Sequence, residues 1–95
     1  MRLANRRDST HKEVSQAFRS LGWKVADLSR VGGGFPDILI ARSCCKMALI
    51  EIKATKGKRK DIQIEFAEFW PVPIYVARNT QDAENIHLAL IKGAR

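Results

Sequence analysis

Asp37, Glu51 and Lys53 stand inside two runs made otherwise of apolar residues, "PDILIA" (residues 36–41) and "ALIEIKA" (residues 48–54). Charges in a buried strand are poorly solvated, and like charges directly opposed destabilise a sheet unless something positive lies between them. A simple antiparallel hairpin centred on Cys44 sets Asp37 opposite Glu51, where opposed Cβ atoms are roughly 4.5–5.5 Å apart. Strand alternation then projects Lys53 from the face of Glu51. An ion pair made by Lys53 alone is the bland explanation of the cluster. A hard divalent cation, Mg²⁺ or Mn²⁺, explains more, because such an ion takes one or two carboxylates and fills its other positions with water and phosphate oxygens. It would polarise a phosphoryl oxygen and acidify a bound water, while Lys53 positions or deprotonates that water or neutralises developing charge. The chemistry implied is phosphodiester hydrolysis.

The elements that must position these groups follow from periodicity. "STHKEVSQAFRSLG" places Val14, Ala17, Phe18 and Leu21 on one helical stripe, with Thr10–Glu13 reading as a capping box and Gly22 as a stop. "WKVADLS" predicts a strand, "RVGGG" a loop whose glycines allow close backbone approach, and "PDILIAR" and "KMALIEIKA" the hairpin. Both hairpin strands are apolar on both faces, which predicts a central sheet covered by helices on each side. "KDIQIEFAEFW" predicts a helix with Ile62, Phe66 and Phe69 on its buried stripe and Pro71 ending it. "VPIYVAR" predicts a last strand and "TQDAENIHLALIKG" a last helix, capped by Thr80 and stopped at Gly93. The fold class is α/β, in the order helix, three strands, helix, strand, helix.

Ninety-five residues make a single domain, 1–95, and a 45% hydrophobic content is ordinary for a globular chain. Net charge is +7, from 17 Lys and Arg against 10 acids, so a polyanion is the expected partner. Two basic clusters stand out: an N-terminal arm, residues 1–8, with Arg6 and Arg7, and "KGKRK", with Lys56, Lys58, Arg59 and Lys60. Set beside a phosphodiesterase centre, both read as DNA-binding; alone, a charge run is usually a solvated loop. No apolar run is long enough to span a membrane, and the N-terminus has no secretory pattern, so the expected setting is cytoplasmic, in a bacterial or phage-infected cell. Cys44 and Cys45 are adjacent and read as small turn residues of a reduced protein. His11 and His87 lack ligand spacing and read as a surface and a core-edge residue. Trp23, Phe66, Phe69 and Trp70 read as core or interface.

Pro36-Asp37, then Glu51-Ile52-Lys53, with Gln63 on the following helix, resembles the PD-(D/E)xK nuclease superfamily. More closely, "GGGFPDILI…LIEIKATKGKRKDIQ" is similar to the VRR-NUC (virus-type replication-repair nuclease) domain, over nearly the whole chain. The resemblance implies a restriction-endonuclease-like core with a central mixed sheet flanked by helices. It implies Asp37 and Glu51 as metal ligands, Ile52 as a backbone-carbonyl ligand, Lys53 as the catalytic lysine and Gln63 as a residue orienting water or phosphate. A first-helix acid maps to Glu13, which its capping-box position would also explain. The activity implied is an Mg²⁺-dependent, structure-selective DNA endonuclease of the repair type, comparable to homodimeric Holliday-junction resolvases. Two alternatives stand beside it: a non-catalytic DNA-binding module using the basic residues alone, and a nuclease subunit acting on other nucleic acid.

Overall fold

The computed structural model describes residues 4–43, 46–54 and 61–92, with side chains in the first helix from residue 9 onward. In chain order the elements are α1 (Ala4–Ser20), β1 (Lys24–Asp27), β2 (Ile38–Arg42), β3 (Lys46–Ile52), α2 (Asp61–Phe69), β4 (Ile74–Ala77) and α3 (Thr80–Ile91). The strands form one mixed sheet in the order β1-β2-β3-β4. The first three are antiparallel neighbours, and β4 joins β3 in parallel after the α2 crossover. Among the described residues no helix is long and apolar enough to cross a membrane.

The β2–β3 ladder runs from Arg42–Lys46 to Ile38–Ile50, the register that a hairpin centred on Cys44 predicts. A one-residue slip would exchange the faces of every side chain in both strands. The existing register puts Ile38, Ile40, Ala48 and Ile50 on one face, packed with Val14 and Phe18 of α1 and with Ala83 and Ile86 of α3. Phe18, Ile38, Ile40 and Ile50 are completely buried, each contributing about 1.5–3 kcal/mol of transfer free energy. At the turn end, the paired Arg42 and Lys46 reach over this face to the helix C-termini. Arg42 donates to the Leu21 carbonyl at 3.4 Å and lies 5.0 Å above the Trp23 ring; Lys46 Nζ donates to the Leu90 carbonyl at 3.3 Å. Cations at helix C-termini complement the macrodipole.

Three expectations need correction. First, α1 begins at Ala4, so Arg6 and Arg7 lie in its opening turns and not in an arm ahead of it. Thr10 is therefore interior, and Thr10–Glu13 is not a capping box. The C-terminal stop is as expected: Gly22, at φ +98°, donates to the Arg19 carbonyl and Trp23 to that of Phe18. Second, α3 is capped by Asn79, whose side chain accepts from the Asp82 N–H at 2.8 Å; Thr80 is already helical. Third, α2 buries none of its residues, so Ile62 and Phe69 are exposed and Phe66 is half-buried. The helix-flanked mixed sheet is as expected: α1 and α3 pack on the face of Ile38, Ile40 and Ile50, and the opposite face buries Leu49 and Glu51 while leaving Met47, near the turn, 55% exposed. Gly93, Cys44 and Cys45 lie outside the described residues.

Candidate active site

The approach to Asp37 is pinned by short-range hydrogen bonds. Asp27, the last residue of β1, accepts from the Ser29 N–H at 2.8 Å and from the Ser29 hydroxyl at 2.6 Å. These two bonds, the hydroxyl first, hold the Asp27 carboxyl below the usual carboxylate range, with His11 a lesser contributor. The His11 Nε2 stands 3.8 Å from Asp27 Oδ1, beyond hydrogen-bond range, and has no hydrogen-bond partner among the described residues. Leu28 N–H then donates to the Asp37 carbonyl, Val31 N–H to Leu28, and Phe35 N–H to Gly32, closing the glycine loop on itself.

Gly34 fixes where that loop meets α2. Its φ is +83°, and a Cβ added there would lie 2.5 Å from the Ile62 carbonyl oxygen. Only glycine permits both the dihedral and the approach. Phe35 then packs edge-on against Phe66 and Trp70, with ring centroids 5.0 and 5.9 Å away, and Pro36 is buried. The loop thus holds the start of α2, where Gln63 lies half-buried, beside the entrance to β2.

At Asp37 the regular ladder stops. Its N–H goes to the Ile50 carbonyl at 3.0 Å, and its carboxylate Oδ2 takes the Ile52 N–H at 2.7 Å. The side chain thereby stands in for a strand carbonyl and is tied to the backbone of the neighbouring strand. Asp37 and Glu51 are the next residues beyond the Ile38–Ile50 pair. Glu51, paired in register with Val76 of β4, is 1% exposed. It lies on the sheet face opposite to Ile50, and so outside the α1–α3 core. Lys53 follows on Glu51's face, half-buried, its backbone N–H bonded to the Ala77 carbonyl at 3.1 Å.

The structure therefore brings Asp37, Ile52, Glu51 and Lys53 to one end of the sheet. Glu13 is placed differently: its Oε2 accepts from both the N–H and the hydroxyl of Thr80, at 3.0 Å each, so it ties α1 to the first turn of α3. Lys56, Lys58, Arg59 and Lys60 lie outside the described residues, as do the side chains of Arg6 and Arg7. His87 is the core-edge residue expected, accepting from the Trp23 indole at 3.0 Å. Sequence reasoning passed over Arg78. The β3–β4 ladder ends at Ile52–Ala77, with the Lys53 N–H bonded to the Ala77 carbonyl; carried one residue further, its alternation would set Lys53 and Arg78 on Glu51's face. The signal was the arginine that directly follows β4 in "VAR", readable only once the strand pairing is known.

Among the described residues no three of His, Cys, Asp and Glu converge as a ready metal cluster. The residues at this strand end, Asp37 bonded to the Ile52 N–H and Glu51 one residue before it, offer only hard oxygen donors. That set suits Mg²⁺ or Mn²⁺, which bind through one or two carboxylates, and does not suit soft metals.

No family model matches the chain, and no curated protein matches it. Among solved structures, one described as a "VRR_NUC domain" superposes with a TM-score of 0.70, covering 93% of this chain and 96% of that one, at 22% sequence identity. With its mixed four-stranded sheet and three helices in this order, the chain has the fold of a VRR_NUC domain.

Proposed function

We propose that this chain is a divalent-metal-dependent DNA endonuclease hydrolysing phosphodiester bonds, with a preference for branched DNA such as four-way junctions. The observation that carries the reading is the end of the β2–β3 hairpin, where Asp37 bonds to Ile52 N–H beside the buried Glu51, and Lys53 follows on Glu51's face. An acid as buried as Glu51 is costly and a weak stabiliser, which makes a chemical role the better account of its retention. The likeness in fold to a VRR_NUC domain supports the same reading.

Asp37, Glu51 and the Ile52 carbonyl would hold Mg²⁺ or Mn²⁺. When bound, such an ion polarises a phosphoryl oxygen and lowers the pKa of a water. The chain's own residues do the rest. Lys53 supplies a positive charge at the scissile phosphate, where charge grows in the transition state. Gln63, held by the Gly34 contact at the mouth of the site, orients water or a phosphate oxygen through its amide. Glu13 acts at one remove, fixing the first turn of α3. Arg6, Arg7, Lys56, Lys58, Arg59 and Lys60 make the sequence-independent phosphate contacts for which the net charge of +7 suits the chain.

The protein works as a homodimer, since a four-way junction has two symmetric cutting points and a two-fold pair offers two matching sites. The apolar residues that α2 leaves open, Ile62, Ile64 and Phe69, with Trp70 and Val72 after it, suit an isologous contact. Sedimentation at micromolar concentration gives twice the 10.7 kDa chain mass; a monomer that persists on junction DNA overturns the paired-site arrangement.

The test is incubation with labelled single strand, duplex, flap and four-way junction in Mg²⁺, Mn²⁺, Ca²⁺ or EDTA. Cleavage is expected in Mg²⁺ and Mn²⁺, with the junction cut fastest. Binding without cleavage in Mg²⁺ and Mn²⁺ would instead establish a DNA-binding module of nuclease fold.

A further inference from the structure

We infer that Arg78 is a phosphate-gripping residue of the same site, contacting a substrate phosphate beside the one Lys53 faces; the inference rests on the nuclease reading. Ala77 is completely buried and accepts the Lys53 N–H at 3.1 Å, so the residue after it is held level with Lys53. Arg78 N–H donates to Asp82 Oδ2 at 2.8 Å, and Asp82 N–H donates to the side chain of the α3 cap, Asn79. The Cα of Arg78 is thereby tied both to the sheet edge and to the first turn of α3. Glu13 braces the same turn from α1 through Thr80.

Adjacent strands lie about 4.8 Å apart, so level residues on one face share a single patch of surface. β4 ends at Ala77; its alternation carried one residue further sets Arg78 on the face of Val76, the partner of Glu51. Two carboxylates, Asp37 and Glu51, are thus matched along this sheet end by two cations, Lys53 and Arg78. The two cations are not interchangeable. An ammonium on a flexible stem is a point charge, whereas a planar guanidinium donates two parallel hydrogen bonds to a phosphate. An arginine on a doubly anchored backbone loses less freedom on gripping a ligand than one on a loop. Arg78 therefore suits a positioning task, holding the strand so that the scissile phosphate lies at Asp37 and Glu51.

The experiment compares wild type, Arg78→Gln and Arg78→Lys on duplex DNA in EDTA and on the cleaved substrate in Mn²⁺. In EDTA, Arg78→Gln should lower the slope of log affinity against log salt by about 0.9, the loss of one phosphate contact, with Arg78→Lys keeping the wild-type slope. In Mn²⁺, Arg78→Gln should cleave at least about tenfold more slowly, with Arg78→Lys intermediate, since it keeps the charge and loses the fork. A neutral methylphosphonate placed next to the cut should slow wild type and have no further effect on Arg78→Gln. A guanidinium that only balanced an internal carboxylate would leave the salt slope unchanged and the methylphosphonate effect intact in Arg78→Gln, and that result overturns the inference. Should Arg78→Gln fail to fold, Arg78→Lys decides alone: cleavage equal to wild type on both the normal and the methylphosphonate substrate overturns it. A wild-type protein that cuts nothing in Mn²⁺ defeats the nuclease reading instead, and the EDTA slope still reports on the phosphate contact.

Discussion

Replacing Gly34 by alanine tests the contact that holds α2 to the glycine loop. The new Cβ would lie 2.5 Å from the Ile62 carbonyl oxygen and 3.0 Å from its carbon, at a φ of +83°. A side chain in the left-handed region costs about 1–2 kcal/mol. Relieving the overlap adds about 1–3 kcal/mol, the usual range for forced repacking. Gly33 provides the control, because it has a φ of +66° and nothing within 4 Å of an added Cβ, so its alanine variant carries the conformational cost alone. Both variants lose the same unfolded-state freedom, so that contribution cancels in the comparison. Gly34→Ala should therefore be less stable than Gly33→Ala by about 1–3 kcal/mol. At about 4–8 °C per kcal/mol for a domain of this size, the melting points should differ by at least about 4 °C. The loop is closed by its own hydrogen bonds and α2 buries none of its residues, so the helix is the partner that yields. Trp70 fluorescence should then shift in Gly34→Ala, because the Phe35–Phe66–Trp70 stack rides on that contact. Equal melting points for the two variants would refute the close approach and, with it, the account of how Gln63 is positioned.

Asp37→Asn, Glu51→Gln and Lys53→Ala should each slow cleavage by about 10²–10⁴-fold while far-ultraviolet circular dichroism stays that of the wild type; a variant that cuts at the normal rate removes its residue from the site. Glu13→Gln should lower stability by about 1 kcal/mol in urea titrations, the usual scale for a lost helix-terminal acceptor, and slow cleavage only modestly. If Glu13→Gln abolished cutting with no change in urea midpoint, Glu13 would belong to the chemistry. Ser29→Ala tests the depressed Asp27 pKa. A carboxyl held down in the folded state adds stability above its unfolded pKa and loses it as pH falls through its folded pKa. The variant should therefore be slightly less stable than wild type at neutral pH, with the gap closing in acid. A gap that widens in acid contradicts the sign; the effect is small because the Asp27 side chain is 63% exposed.

How much of this was legible in the sequence depends on which contacts a pattern can report. The hairpin register was legible because two apolar strands joined by so short a turn leave little freedom, and a slip would turn Ile38, Ile40 and Ile50 out of the core. From that register the grouping of Asp37, Glu51 and Lys53 follows almost without further information. What the sequence did not carry is the way Asp37 leaves the ladder and takes the Ile52 N–H with its side chain, since that depends on how the strand end bends.

The misreadings share one cause. Thr10–Glu13 has the spacing of a capping box, yet the helix starts six residues earlier and the Glu13 carboxylate caps a different helix, through Thr80. The spacing was real, but the partner lay 67 residues away. In α2 the period of Ile62, Phe66 and Phe69 does mark the apolar side of the helix. Periodicity says which residues share a side and nothing about what faces it, and Phe69 is 84% exposed. Arg78 is the mirror case, a residue with no local pattern that comes close to Lys53 only because β4 is laid parallel to β3. Local sequence therefore located the carboxylates, which sit within one hairpin. It could not assign Glu13, α2 or Arg78, whose surroundings are supplied by elements distant in the chain. The same logic directs where substitution is most informative: at Gly34, where the glycine loop meets α2, at Glu13, which ties α1 to the first turn of α3, and at Arg78, which follows β4 and is bonded to Asp82 of that turn.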